Sequence, residues 1–183
     1  MIGQHKLIHE KLGYPLLKEC YRLTTETVIG ENTISSYVGK LADEIAADCT
    51  EPKQLVLIGV LPLGPVIASR IANQLKKKHN LTIMIGQLDI TIFLNPDQLE
   101  GHFVDLHHTD IPFSLKKKHV ILIQEILTTG LKAKAALNAL SDFDSPRDIK
   151  LATLVDRNNR KFPIYANYVG EVIESHPNET LKV

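Results

Sequence analysis

Apolar residues along the chain form two kinds of pattern, which predict helices and buried strands in alternation. Beyond residue 33 they recur at helical spacing and predict an amphipathic helix, with Asn32 or Thr33 as its N-cap. Largely continuous apolar runs follow at residues 54–60, 119–123 and 149–155. Runs of this kind are typical of strands that are covered on both faces, as in parallel sheets.

Further elements fill the gaps between these runs. Helical patterns extend from about Pro65 to Leu75 and over the alanine-rich stretch that ends near Leu140, and another strand is predicted over residues 81–93. The alternation predicts an α/β fold with a mostly parallel sheet flanked by helices. Ligands of such sheets bind beside the carboxyl ends of the strands, so we expect the site at that edge. The loops concerned follow Val60, Phe93, Ile123 and Val155.

Composition narrows the class of protein. The length of 183 residues suits one domain, which we place at residues 32–183 after an N-terminal arm at residues 1–31. The 21 basic and 21 acidic residues balance, whereas proteins that wrap nucleic acid usually carry a basic excess. No run approaches the ~18 apolar residues of a membrane helix, and the N-terminus does not resemble a signal peptide. We therefore expect a cytoplasmic protein with no membrane partner.

Metal chemistry has little support in the sequence. The two cysteines, Cys20 and Cys49, belong to no CxxC or Cys/His pattern. We expect two reduced thiols and no resident metal ion.

The segment 120–133 carries the main chemical signal. A buried run leads into Gln124 and Glu125, and a Thr128-Thr129-Gly130 turn then opens a helix. Backbone N–H groups at such a turn favour a phosphate, and glycine allows its close approach. Gln124 and Glu125 can hold two ribose hydroxyls. An ordinary strand-to-helix turn is the alternative that these residues alone leave open.

This segment resembles the PRPP-binding signature of type I phosphoribosyltransferases, and most closely that of the PyrR family of pyrimidine-operon attenuators with uracil phosphoribosyltransferase activity. The resemblance covers about residues 33–183 and implies a type I phosphoribosyltransferase fold with a small hood. Three other stretches are similar to family motifs: residues 86–93, residues 110–112, and residues 154–163 followed by residues 168–170. The resemblance implies that Asp156 and Arg157 recognise the base, although a structural ion pair between them stays open.

Several positions depart from the family pattern. Gln124 and Glu125 stand where the family has two aspartates, and Leu131 and Lys132 stand where it has Arg-Thr. The family's pyrophosphate loop reads Lys-Thr-Arg-Gly; the corresponding residues here are Leu61, Pro62, Leu63 and Gly64. Because catalysis of pyrophosphate departure depends on cations and Mg²⁺, the loss of these groups predicts weak or lost catalysis.

The function expected from this pattern is a phosphoribosyltransferase-like protein of the pyrimidine-regulator type that binds a UMP-like nucleotide. An active uracil phosphoribosyltransferase, using PRPP with Mg²⁺, is the first alternative. An RNA-binding attenuator is the second, although Lys40 is the only cation over residues 34–44. If the protein is inactive we expect no cofactor. The resemblance also implies a homodimer or a larger homo-oligomer.

Overall fold

The computed structural model describes residues 25–94, 108–174 and 179–182, with the backbone alone for residues 25–28 and 179–182. The helices are α1 (Glu31–Asp48), α2 (Gly64–His79) and α3 (Leu131–Phe143). The strands are β1 (Thr25–Val28), β2 (Leu55–Val60), β3 (Met84–Leu88), β4 (His119–Leu127), β5 (Asp148–Asp156), β6 (Tyr168–Val172) and β7 (Glu179–Lys182).

Five strands form one parallel sheet in the order β3-β2-β4-β5-β6, which confirms the predicted fold class. The chain moves outward from β2 to β3 and then returns to the other side of β2 with β4. This reversal puts a topological switch point between β2 and β4, where open α/β sheets leave a crevice for ligands. The loop after β2 and the turn after β4 border that crevice.

The sheet is buried on both faces because its strands carry apolar residues at consecutive positions. Val56, Ile58 and Leu122 belong to one apolar cluster with the alanine face of α3. Small side chains at Ala133 and Ala136 let this helix lie close to the sheet. Alternate strand residues point to the opposite face, where α1 and α2 pack against the sheet and against each other.

Three element boundaries differ from the sequence predictions. Helix α1 begins at Glu31 with Gly30 as its N-cap, so the prediction of Asn32 or Thr33 as the cap was wrong. The predicted strand over residues 81–93 is reduced to β3, and a short 3₁₀ turn, Thr91–Phe93, follows it. Strand β4 is longer than predicted, because its pairing with β5 continues as far as Leu127.

A second, two-stranded parallel sheet is formed by β1 and β7, with Thr25 opposite Glu179. The predicted arm at residues 1–31 falls outside the described residues up to residue 24. Much of the loop after Phe93, which the sequence indicates as a long loop over residues 94–118, also lies outside them, at residues 95–107. Within the described part of the chain, no helix combines the length and apolar character needed to cross a bilayer.

Candidate functional site

The turn between β4 and α3 is the centre of the candidate site. Gly130 has φ 85°, a left-handed conformation that favours glycine, and α3 begins at the next residue. The hydroxyl oxygen of Thr129 accepts a hydrogen bond of 3.3 Å from the N–H of Leu131. Other N–H groups of the first helical turn have no intrahelical acceptor, and the helix dipole adds partial positive charge. The turn therefore has the chemistry of a phosphate cradle.

A second loop, residues 157–167, packs on this turn and fixes it. The carbonyl of Thr129 accepts hydrogen bonds from the N–H groups of Lys161 and Phe162, each at 3.0 Å. A Cβ atom at Gly130 would lie 3.3 Å from Phe162 Cβ and 3.5 Å from Ile164 Cβ. The backbone angle therefore favours glycine at position 130, and a methyl group there would also press on Phe162.

The acidic position beside the turn is already paired. The sequence had suggested that Gln124 and Glu125 follow the end of the strand, but both residues lie within β4. Glu125 Oε1 is 2.9 Å from Lys132 Nζ, and the Glu125 side chain is 12% exposed. Glu125 Oε2 is buried and has no hydrogen-bond partner among the described residues.

Gln124 is almost completely buried, at 1% exposure. Its side-chain amide donates to the carbonyl of Ile126 at 3.2 Å, and its carbonyl oxygen Oε1 has no partner in the described structure. A neutral amide in this setting keeps an acceptor for a hydroxyl but supplies no charge for a cation.

The loop after β2 is apolar and partly exposed, and only its last residue, Gly64, is tightly packed. Leu61 and Pro62 are joined by a cis peptide bond, and the Leu61 N–H donates to the carbonyl of Leu88 at 3.0 Å. A Cβ atom at Gly64 would lie 2.6 Å from the carbonyl oxygen of Ile123. Leu63 is 41% exposed. This loop borders the crevice but presents hydrocarbon to it.

Asp156, at the end of β5, forms an ion pair with Arg160. One Arg160 nitrogen, NH2, binds the carboxylate of Asp156, while NH1 donates to the Thr128 carbonyl and Nε to the Ile164 carbonyl, each at 2.7 Å. Asp156 also accepts the N–H of Asn158 at 2.7 Å. The sequence had left open an ion pair of Asp156 with Arg157, and the structure gives Arg160 as the ionic partner of Asp156. Arg157 is itself buried, at 9% exposure.

Arg160 and Phe162 are the site residues that the sequence reasoning missed. Arg160 connects the end of β5 to the carbonyl of Thr128, so it orders the turn between β4 and α3 from outside the segment 120–133. A groove of about 470 Å³ adjoins the turn, and its lining includes Lys134, Lys161 and the rings of Phe93 and Phe162. Lys134 Nζ lies 4.9 Å from the centroid of the Phe162 ring. The spacing of these residues in the sequence gives no periodic signal for such a groove.

A second cavity, of about 250 Å³, lies at the opposite edge of the sheet, where β2, β4 and β5 begin. The carboxylate of Asp48 accepts hydrogen bonds there from Lys150 and from the Tyr168 hydroxyl, the latter at 2.7 Å. The Lys150 hydrogen bond lowers the pKa of Asp48, and burial raises the pKa of Tyr168 to about 12. These contacts connect α1 to β5 and β6.

Comparison with known proteins agrees with the geometry. Residues 32–180 match the phosphoribosyl transferase domain. The bifunctional protein PyrR of Enterococcus faecalis is 35% identical over 156 residues, which is 85% of this chain and 87% of that protein. The bifunctional protein PyrR of Latilactobacillus sakei is 37% identical over 158 residues, with coverage of 85% and 88%.

Solved structures show the same fold at lower identity. A hypoxanthine-guanine phosphoribosyltransferase from Bacillus anthracis has a TM-score of 0.62 at 24% identity, covering 81% of this chain and 82% of that one. The hypoxanthine phosphoribosyltransferase of Trypanosoma cruzi has a TM-score of 0.64 at 20% identity, covering 84% and 85%. The chain therefore belongs to the phosphoribosyltransferase family and, by its relatives, is a phosphoribosyltransferase-like protein of the PyrR type.

Proposed function

We propose that this protein binds a nucleoside 5′-monophosphate of the uridine type and has weak or lost phosphoribosyltransferase activity. The main support for the proposal is the difference in chemistry between the two loops that border the switch point. The turn after β4 keeps a phosphate cradle at Thr128, Thr129 and Gly130, whereas the loop after β2 has no charged side chain at Leu61, Pro62, Leu63 or Gly64. One side of the crevice suits a phosphate monoester, and the other does not suit a pyrophosphate.

Catalysis would require the loop after β2 to bind the departing pyrophosphate. Pyrophosphate leaves with developing negative charge, and donors aimed at that charge usually supply the largest part of the rate acceleration. The side chains of Leu61 and Leu63 are wholly apolar, and each removed donor costs about 10²–10³ in rate. A monophosphate at the retained cradle makes no such demand, because backbone N–H groups hold it.

The choice of a uracil-type base rests on the resemblance to PyrR proteins. Asp156 is engaged by Arg160 and Asn158, so we assign it to shaping the hood and not to direct contact with the base. Arg157 remains the proposed base-recognition residue. The N–H of Leu131 already donates to the Thr129 hydroxyl oxygen, so we assign Leu131 to ordering the cradle and Lys132 to supplying its charge.

RNA binding is the less favoured alternative, because the helix that would meet RNA uses its basic group internally. Lys40, the only lysine of α1, donates to the carbonyl of Gly170 at 2.9 Å. Asp43 on the same helix faces Lys78 and His79 of α2 with contacts of 3.1 and 2.9 Å. Phosphate binding at this surface would have to break these pairs. A homodimer or larger homo-oligomer is our proposal for the assembly.

Isothermal titration calorimetry with UMP tests the proposed function. We expect saturable binding to the wild type and loss of at least about ten-fold in affinity in Gly130→Ala, because the new methyl group meets Phe162 at the cradle. Gly30→Ala is the matched control, since a Cβ atom at Gly30 has no atom within 4 Å. Absence of UMP binding to the wild type would overturn the proposal. Tight binding of PRPP with Mg²⁺ would favour the active-enzyme alternative.

A further inference from the structure

The phosphate turn contains an ion pair whose position bears on the role of metal in this family. The resemblance to phosphoribosyltransferases implies PRPP bound with Mg²⁺, and Mg²⁺ requires nearly octahedral oxygen coordination. Glu125 is the acidic residue of the turn region, and one of its oxygens is already 2.9 Å from the Lys132 ammonium. A divalent cation at this carboxylate would therefore lie beside a positive charge.

The neighbouring residues do not compensate for this. Gln124 is neutral where the family has a carboxylate, and Leu61 and Leu63 supply no oxygen from their side chains. Mg²⁺ that accompanies a phosphate ligand usually binds one or two protein carboxylates, and the carboxylate of Glu125 is already paired with the Lys132 ammonium. The residues present at this turn thus do not fit Mg²⁺.

We propose that Lys132 takes the place of the divalent cation at this turn, so that the site binds its phosphate ligand without Mg²⁺. This inference rests on the proposed function for its ligand, a nucleoside monophosphate. The exposures of the two partners support it: the Lys132 side chain is 49% exposed and reaches from solvent onto Glu125, which is 12% exposed. The ammonium neutralises a carboxylate that would otherwise repel an approaching phosphate dianion.

The hydrogen-bond donors and acceptors that the Lys132–Glu125 pair leaves unused suit a nucleotide. An ammonium group has three hydrogen-bond donors, and Glu125 Oε1 uses one of them within the described part of the chain. Glu125 Oε2 is a buried acceptor with no partner among the described residues. A ribose hydroxyl could donate its hydrogen bond to this oxygen. Lys132 is therefore a specificity-determining residue: it selects an anionic ligand that carries no metal.

Two measurements test this assignment. The first is UMP titration calorimetry in EDTA and in millimolar Mg²⁺. We expect the wild-type dissociation constant to change less than about two-fold between the two buffers. Lys132→Thr should weaken binding at least ten-fold in EDTA, and Lys132→Arg should restore it because the charge returns. Lys77→Thr, which removes an exposed lysine from α2, is the control. A wild type that needs Mg²⁺, or a Lys132→Thr variant that binds like the wild type, would overturn the assignment.

The second measurement needs no nucleotide, so it separates this inference from the proposed function. Electron paramagnetic resonance reports the binding of Mn²⁺ to the protein alone. Lys132→Thr frees the carboxylate of Glu125 from its ammonium partner, so this variant should bind Mn²⁺ more tightly than the wild type and the Lys77→Thr control do. Equal Mn²⁺ affinity in all three proteins would overturn the role of Lys132 even if UMP binds. If UMP fails to bind but Lys132→Thr gains Mn²⁺, the proposed function fails and the metal assignment stands.

Discussion

Replacing Arg160 by alanine should destabilise the protein far more than replacing Arg147 by alanine. Both arginines pair with a carboxylate, Arg160 with Asp156 and Arg147 with Glu51 at 2.7 Å. The side chains of the first pair are 10% and 12% exposed, whereas those of the second are 56% and 46% exposed. Burial is therefore the main difference between two otherwise similar ion pairs.

The expected magnitudes follow from that difference. Removing one partner of a buried pair leaves an uncompensated charge and costs about 3–5 kcal/mol, whereas exposed pairs contribute about 0–1 kcal/mol. Arg160→Ala also leaves the Thr128 and Ile164 carbonyls without their 2.7 Å donors. Asp156 keeps one hydrogen bond from the N–H of Asn158, which moderates the loss. We expect the free energy of unfolding to fall by about 3 kcal/mol more in Arg160→Ala than in Arg147→Ala.

Urea unfolding followed by circular dichroism measures this difference. With a slope of about 2 kcal/mol per molar urea, the midpoint of Arg160→Ala should lie about 1.5 M below that of Arg147→Ala. Arg160→Lys should lie between the two, because lysine keeps the charge but cannot make three directed hydrogen bonds. Free energies of unfolding within about 1 kcal/mol of each other for the two alanine variants would refute the reasoning.

Three further predictions test other parts of the structure. Gly130→Ala should lower the free energy of unfolding by about 1–3 kcal/mol, measured by urea unfolding, because its φ of 85° and the nearby Phe162 both oppose a methyl group. Gly30→Ala should lower it by less than about 1 kcal/mol, because only its weak capping preference is lost, and equal effects would contradict the account. The pKa of Tyr168 is raised from 10.0 to about 12, so its contribution to stability is present below pH 10 and is lost as pH rises through 12. The urea midpoint should therefore fall less over that pH range in Tyr168→Phe than in the wild type. An equal fall in the two proteins would contradict this. The double substitution Leu61→Lys and Leu63→Arg should raise PRPP affinity in calorimetry by at least about ten-fold with UMP affinity unchanged, and no gain would show that the loop is not what excludes PRPP.

The architecture of the sheet could be predicted from the sequence because buried parallel strands have continuous apolar runs. The runs at residues 54–60, 119–123 and 149–155 are apolar on both faces, so they marked β2, β4 and β5. The place of the site followed from the rule that ligands lie at the carboxyl edge. Boundaries were less accurate, because the end of β4 depends on pairing with β5 and not on its own polarity.

Side-chain partners at the site could not be predicted from spacing alone. Successive residues of an extended chain point to opposite sides, which separates the side chains of Asp156 and Arg157. A turn at Asn158, with φ 48° and an N–H bonded to Asp156, then brings Arg160 back to the carboxylate. The pair of Glu125 with Lys132 likewise depends on how the Thr-Gly turn folds back. The apolar character of the Leu61–Leu63 loop, by contrast, was readable directly.

The rate of UMP formation from uracil and PRPP with Mg²⁺ tests the central claim most directly, measured on a preparation that binds UMP in calorimetry. Typical enzymes have turnover numbers of 1–10³ s⁻¹, with a median of about 10 s⁻¹. Loss of the two cations at the positions of Leu61 and Leu63, at about 10² each, predicts a turnover of about 10⁻³ s⁻¹ or less. A turnover of about 1 s⁻¹ or more would contradict the account and identify an active uracil phosphoribosyltransferase.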